Sequence, residues 1–288
     1  MNREHPEYLV ETGWLAEHLE DPALRVVECT SILHALPDGG YRAESGRATW
    51  ESGHIPGSGF ADLTGNLSDQ TSALRFMMPP AAQLASAMGA LGVGEGTRVV
   101  LYDRAVNMWA ARVWWMLRAA GFDDAAVLNG GWRKWTLEGR AVSTAPCAYP
   151  PANFVPRPRP ELFADKSAVL AGLGGNATCI LNALTEEQHR GAGGVSYGRP
   201  GRIAGSANVA ARSLVDSTHA YLPLPELQKR FADSGALASG RVITYCGGGI
   251  AASSDAFVLA MLGHDNVAVY DASLSEWAAD PSLPMETG

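Results

Sequence analysis

Residues 242–251 read Val-Ile-Thr-Tyr-Cys-Gly-Gly-Gly-Ile-Ala. Four residues of strand character run straight into Cys246, three glycines follow, and Ala252–Leu262 has helix character up to a stop at Gly263. A cysteine at the tip of a strand, on a glycine turn aimed at a helix start, has a particular electrostatic setting. Glycine carries no Cβ, so successive backbone N–H groups can converge on one point. The helix start adds partial positive charge there. Such a cradle favours thiolate over thiol and can hold an anion beside the sulfur. A merely structural buried cysteine would have branched apolar neighbours in place of Gly247, Gly248 and Gly249. The reading is a reactive cysteine at a loop formed by Cys246, Gly247, Gly248, Gly249, Ile250 and Ala251.

Working outward, the chain repeats itself. Val99-Val-Leu-Tyr-Asp103 matches Val242-Ile-Thr-Tyr-Cys246, and Gly53-His-Ile-Pro-Gly-Ser58 matches Gly201-Arg-Ile-Ala-Gly-Ser206. Gly121-Phe-Asp-Asp-Ala-Ala-Val-Leu runs on to Trp135, and Gly263-His-Asp-Asn-Val-Ala-Val-Tyr to Trp277, with 14 residues from Gly to Trp in both copies. Matching order at long range means duplicated domains, not a short-period solenoid. Asp103 stands in the place of the cysteine, and a carboxylate cannot do thiol chemistry. One half is expected to be active and the other a scaffold.

Six of the 17 prolines fall between Pro146 and Pro160, a density that reads as a semi-rigid extended linker. The expected domains are therefore 1–145, degenerate at Asp103, and 161–288, catalytic, joined by a Pro-rich linker at 146–160. Strands alternate with helices in each half. Arg25–Cys29 and Arg98–Tyr102 read as strands in the first, with helices at Pro80–Leu91 and Trp109–Ala120. In the second, Cys179–Asn182, Val242–Tyr245 and Asn266–Tyr270 read as strands, with a further helix at Leu224–Asp233. The fold class is α/β, two tandem domains, each a parallel sheet with helices on both faces. Ligands of such sheets sit at the carboxyl ends of the strands, where Cys246 falls.

Composition bounds the function. The 288 residues fit two ordinary domains, and 47% hydrophobic residues with no long apolar run indicate a soluble protein, with no membrane span expected. The start, Met-Asn-Arg-Glu-His-Pro-Glu-Tyr, lacks a signal-peptide apolar core, so a cytoplasmic location is expected. Cys29, Cys147, Cys179 and Cys246 lie far apart, against both a zinc site and a disulfide framework. A net charge of −8 argues against nucleic acid as a partner. Gly92-Val-Gly-Glu-Gly96 is not a dinucleotide fingerprint, and neither cofactor nor metal is expected.

These features together resemble the two-domain rhodaneses, which include thiosulfate and 3-mercaptopyruvate sulfurtransferases. The resemblance runs from about Leu9 to Trp277, and its most specific parts are Arg112-Val-Trp-Trp-Met, Gly130-Gly-Trp132 and the Cys246 loop. It implies that Cys246 takes a sulfane sulfur from a small anionic donor, holds it as a persulfide, and passes it to a thiophilic acceptor, cyanide or a thiol. Thiosulfate users of the family often carry cations in the loop, and this loop has none. Mercaptopyruvate users pair a loop serine with a histidine and an aspartate. Here Gly248 stands where that serine would be, Phe76 where the histidine would be, and Ala251 replaces a common threonine. The donor stays open between thiosulfate and 3-mercaptopyruvate.

The resemblance also implies that Arg190 and Arg199 bind the anionic end of the donor, with Arg202 a weaker candidate. Trp109 aligns with an aromatic facing the cysteine across the domain interface. His54 reads as a structural turn residue, and Cys29, Cys147 and Cys179 as structural. Two other classes compete. A Cys-x5-Arg phosphatase needs arginine at position 252, where the residue is Ala252. A sulfur carrier or binding module delivering persulfide to a protein is compatible with the intact loop.

Overall fold

A computed structural model describes residues 4–36, 40–147, 149–175, 177–195 and 197–288. In the first domain the strands are β1 (Leu9–Val10), β2 (Leu24–Glu28), β3 (Gly59–Phe60), β4 (Arg98–Tyr102) and β5 (Ala125–Leu128). They form a parallel sheet in the order β1-β5-β4-β2-β3. The second domain has β6 (Phe163–Ala164), β7 (Thr178–Asn182), β8 (Ala207–Asn208), β9 (Arg241–Tyr245) and β10 (Val267–Tyr270). Its order, β6-β10-β9-β7-β8, is also parallel and is the same topology. The central strands are unbroken apolar runs because both sheet faces are covered.

The duplication extends to side chains. The Tyr102 hydroxyl accepts from Ile55 N–H at 3.2 Å and pairs with Ser58 Oγ at 2.9 Å. The Tyr245 hydroxyl does the same with Ile203 N–H at 3.1 Å and Ser206 Oγ at 2.7 Å. This is the physical content of the Ile-x-Gly-Ser match: a buried tyrosine at the end of the central strand staples the crossover segment to it. After each central strand comes a twelve-residue helix, α1 (Met108–Ala119) and α3 (Ile250–Met261); the Gly-to-Trp segments carry the short helices α2 (Gly131–Leu137) and α4 (Ser273–Trp277).

Helix α3 begins at Ile250, two residues earlier than its side-chain pattern indicates. Gly249, left-handed at φ +78°, turns the chain so that the helix starts at once. The helix expected over Leu224–Asp233 has those bounds, and the one expected over Pro80–Leu91 spans Ala81–Ala90. An antiparallel hairpin, Ser31–Ala35 with Tyr41–Ser45, has no counterpart in the sequence reading. Described residues 149–159 contain neither helix nor strand and lie against the first domain. The Tyr149 hydroxyl accepts from Val26 N–H at 3.0 Å, Ala152 N–H donates to Gly89 O at 2.9 Å, and Phe154 stacks on Phe122.

Helices α1 and α3 are buried nearly all round because each packs on its own sheet and on the other helix, with Trp114 edge-to-face on Phe257 at 4.9 Å. Among the described residues no helix is long and apolar enough to cross a membrane.

Candidate active site

Cys246 follows directly on β9, at the carboxyl end of the second sheet, and is buried. Its loop is held from behind by the start of α4. Leu274 N–H donates to Cys246 O at 3.1 Å and Ser275 N–H to Gly247 O at 3.0 Å. Ser273 Oγ accepts from Cys246 N–H at 3.0 Å and Gly249 N–H at 3.2 Å, and donates to Tyr270 O at 2.8 Å. That leaves the N–H groups of Gly247, Gly248, Ile250, Ala251 and Ala252 without an acceptor among the described residues. The last three are the orphan donors of a helix start.

The first domain displays what such a frame binds. Asp103 holds the place of Cys246, and Asn107 (φ +64°) the place of left-handed Gly249. Asp103 Oδ1 accepts from Ala105 N–H at 2.8 Å and Asn107 N–H at 3.1 Å; Oδ2 accepts from Trp109 N–H at 2.8 Å and Ala110 N–H at 3.0 Å. Burial pushes the Asp103 carboxyl up to about 6, against the pull of these four donors. The first domain carries its own carboxyl group in the cradle.

A cavity of about 380 Å³ opens onto Cys246. Its first-domain wall is Phe76 edge-to-face on Trp109 at 5.3 Å, with Met108, Leu74 and the hairpin residues Leu33 and Tyr41. On the other side the Tyr197 ring lies over Gly247, where any Cβ would run into it. Burial, and then the charge of Cys246, push the Tyr197 hydroxyl well above its ordinary value. Two cations line the cavity, Arg75 and Arg212, both exposed. Among the described residues no His, Asp, Glu or Lys lines it.

The arginines singled out from sequence lie elsewhere. Arg190 is exposed and pairs with Glu186 at 2.7 Å, one turn back on its short helix. Arg199 is held by carbonyls: it donates to those of Trp277, Ala278, Asp280 and Leu283 at 2.6–3.2 Å and so caps the C-terminal end of α4. Neither lines the cavity. Arg202 pairs with Glu286 at 2.9 Å. His54 is buried with its ring nitrogens against the Trp50 and Ala145 carbonyls, as a structural residue would be. Trp109 does face the cysteine's cavity. Burial raises the thiols of Cys29, Cys147 and Cys179, and at Cys29 the charges of Asp103 and Glu28 add to it. Tyr197, Arg75, Arg212 and Ser273 were not found by sequence reasoning. Only Ser273 had a signal there: it is the repeat partner of Gly131, and both have positive φ.

The rhodanese-like domain family matches residues 11–138 and 174–280. The probable 3-mercaptopyruvate sulfurtransferase of Pseudomonas aeruginosa is 33% identical over 282 residues, covering 95% of this chain and 96% of that one. The thiosulfate sulfurtransferase of Cricetulus griseus is 31% identical over 295 residues, covering 97% and 95%. The crystal structure of SseA from Escherichia coli, a 3-mercaptopyruvate sulfotransferase of rhodanese fold, aligns with a TM-score of 0.82 at 29% identity over 92% of this chain and 98% of that one. With two matched regions, one sheet topology used twice and relatives aligned over nearly their full length, this chain belongs to the rhodanese family.

Proposed function

We propose that the chain is a sulfurtransferase that moves a sulfane sulfur from a small anionic donor to a thiophilic acceptor through a persulfide on Cys246. The observation that carries this reading is the pair of loops. One backbone frame, used twice, holds a carboxylate in the first domain and a sulfur in the second, where the donors that would grip an anion find no acceptor among the described residues. The Cys246 thiolate attacks the outer sulfur of the donor, and the donor's bond to that sulfur breaks with its electron pair leaving on the departing group. The persulfide anion then rests on the free N–H groups. The acceptor attacks the outer sulfur, and the S–S electron pair returns to Cys246 as thiolate. Keeping that thiol free suits a reducing compartment such as the cytoplasm.

The cavity lining favours thiosulfate over 3-mercaptopyruvate. Sulfite departs as a stable anion and needs no proton. The carbon leaving group of mercaptopyruvate must be protonated to give pyruvate, and among the described residues no histidine or carboxyl group lines the cavity to deliver a proton. The Tyr197 hydroxyl, pushed upward, is a poor acid. We assign the gathering of the anionic donor to Arg212 and Arg75, in place of Arg190 and Arg199. Steady-state transfer to cyanide from the two donors, measured side by side on one preparation, tests this: kcat/KM is at least about tenfold higher with thiosulfate. A preference for mercaptopyruvate overturns the donor assignment, and turnover with neither donor overturns the enzyme reading in favour of a sulfur carrier.

A further inference from the structure

The two domains reach into each other's loops by reciprocal contacts. Phe76 (φ +62°) and His219 (φ +67°) are left-handed residues at matching places before α1 and α3. The His219 carbonyl accepts from Asn107 Nδ2 at 2.7 Å, and the Phe76 carbonyl accepts from Arg112 Nη2 at 2.7 Å. Two residues on, Tyr221 N–H donates to Asn129 Oδ1 at 2.8 Å, and Met78 N–H donates to Asp271 Oδ2 at 2.7 Å. Where the scaffold loop uses its own Asn107, the live loop has Gly249, with no side chain. There the Phe76 carbonyl is met by Arg112 of its own domain, which is fully buried and reaches across the interface to face Asp271 at 2.6 Å. A Cβ on Gly249 would lie 2.8 Å from Asp271 Oδ1 and 3.3 Å from Arg112 Nη1, so the ion pair sits directly beneath the turn that starts α3.

We propose that Arg112 and Asp271 are positioning residues: a buried ion pair that spans the domain interface, seats the left-handed turn of the Cys246 loop, and holds Phe76 against the cavity. The proposal rests on the sulfurtransferase reading above. Neither residue lines the cavity. Asp271 ties β10 to the first-domain segment through Met78, and Arg112 ties the same carboxylate to Phe76. Loss of either end leaves the other charge buried and unpaired, which is strongly unfavourable and shifts the turn above it. Because the turn aims the N–H groups that hold the persulfide, the displacement acts on turnover more than on donor capture.

The test uses the full chain with thiosulfate and cyanide. Arg112→Lys keeps the charge but loses the fork that reaches both Asp271 and the Phe76 carbonyl. Asp271→Asn keeps the shape and the Met78 bond and removes the charge, so it stays informative should the lysine variant fail to fold. In both, kcat falls by about tenfold or more while donor KM stays within about twofold. Asn107→Ala, which breaks the mirror contact at the scaffold loop, leaves kcat within about twofold. A folded Arg112→Lys or Asp271→Asn with unchanged kcat overturns the proposal and leaves the Cys246 reading standing. An equal loss of kcat in Asn107→Ala overturns it too, because the effect would then belong to the interface at large. Turnover surviving in Cys246→Ser is the separate result that sinks the reading on which it rests.

Discussion

Replacing Gly249 by alanine adds one methyl group where the backbone is left-handed, at φ +78°. The new Cβ would stand 2.8 Å from Asp271 Oδ1 and 3.0 Å from Asp271 O. Asp271 has nowhere to retreat, since its carboxylate receives Met78 N–H at 2.7 Å and faces Arg112 at 2.6 Å. A left-handed residue with a Cβ costs about 1–2 kcal/mol, and overpacking a filled site costs about 1–3 kcal/mol. Gly249→Ala is therefore expected to lose about 2–5 kcal/mol of stability. One residue earlier the same methyl group meets nothing closer than Ser275 Oγ at 3.9 Å, and the backbone of Gly248 lies outside the left-handed region. Gly248→Ala should stay within about 0.5 kcal/mol of the parent chain. Urea unfolding of both variants, extrapolated linearly to water, reads the contrast directly. Equal losses at the two positions, or a neutral Gly249→Ala, would refute the reasoning about the turn.

Arg212→Ala and Arg75→Ala should each raise donor KM about fivefold or more, as loss of a charge-assisted contact does; Arg190→Ala should leave KM unchanged, and the reverse pattern in steady-state kinetics contradicts the assignment. Arg199→Ala should lower stability by about 2 kcal/mol or more, through its four carbonyl partners, without altering donor KM, as thermal unfolding beside kinetics will report. Asp103, pushed up to about 6 from 3.8, binds a proton in the folded chain at a pH where the unfolded chain has already released it. Its contribution to stability is thus greatest below about pH 4 and declines by about 3 kcal/mol as pH rises to about 6. The stability difference between the parent chain and Asp103→Asn, followed from pH 4 to 7, should shrink accordingly, and a difference independent of pH contradicts that account.

Much of the architecture was legible in the sequence because a duplication displays its own grammar. Equal Gly-to-Trp spacing and the matched strands ending at Tyr102 and Tyr245 were enough for two copies of one parallel sheet. The loop that carries Cys246 was legible for the same reason, since glycines are costly unless a backbone must approach something. The arginines were not. Arg190 has Glu186 four residues before it, an i,i+4 partner visible in the sequence, whereas the carbonyls that bind Arg199 lie about eighty residues away. The rest of the cavity wall was invisible for a related reason: the resemblance placed Phe76 and Trp109 near the cysteine, but Tyr197, Arg75 and Arg212 join them only because two domains pack face to face. The early start of α3 follows from a single dihedral angle at Gly249, which a side-chain pattern does not record.

The central claim is that Cys246 alone carries the sulfur. Intact-protein mass after treatment with excess thiosulfate, followed by peptide mapping, measures it. The expected result is a gain of one sulfur, about 32 Da, located on Cys246, lost on adding cyanide and absent in Cys246→Ser, with Cys29, Cys147 and Cys179 unmodified. A persulfide mapped to one of those three, or a Cys246→Ser chain that still gains the mass and turns over, would contradict the account.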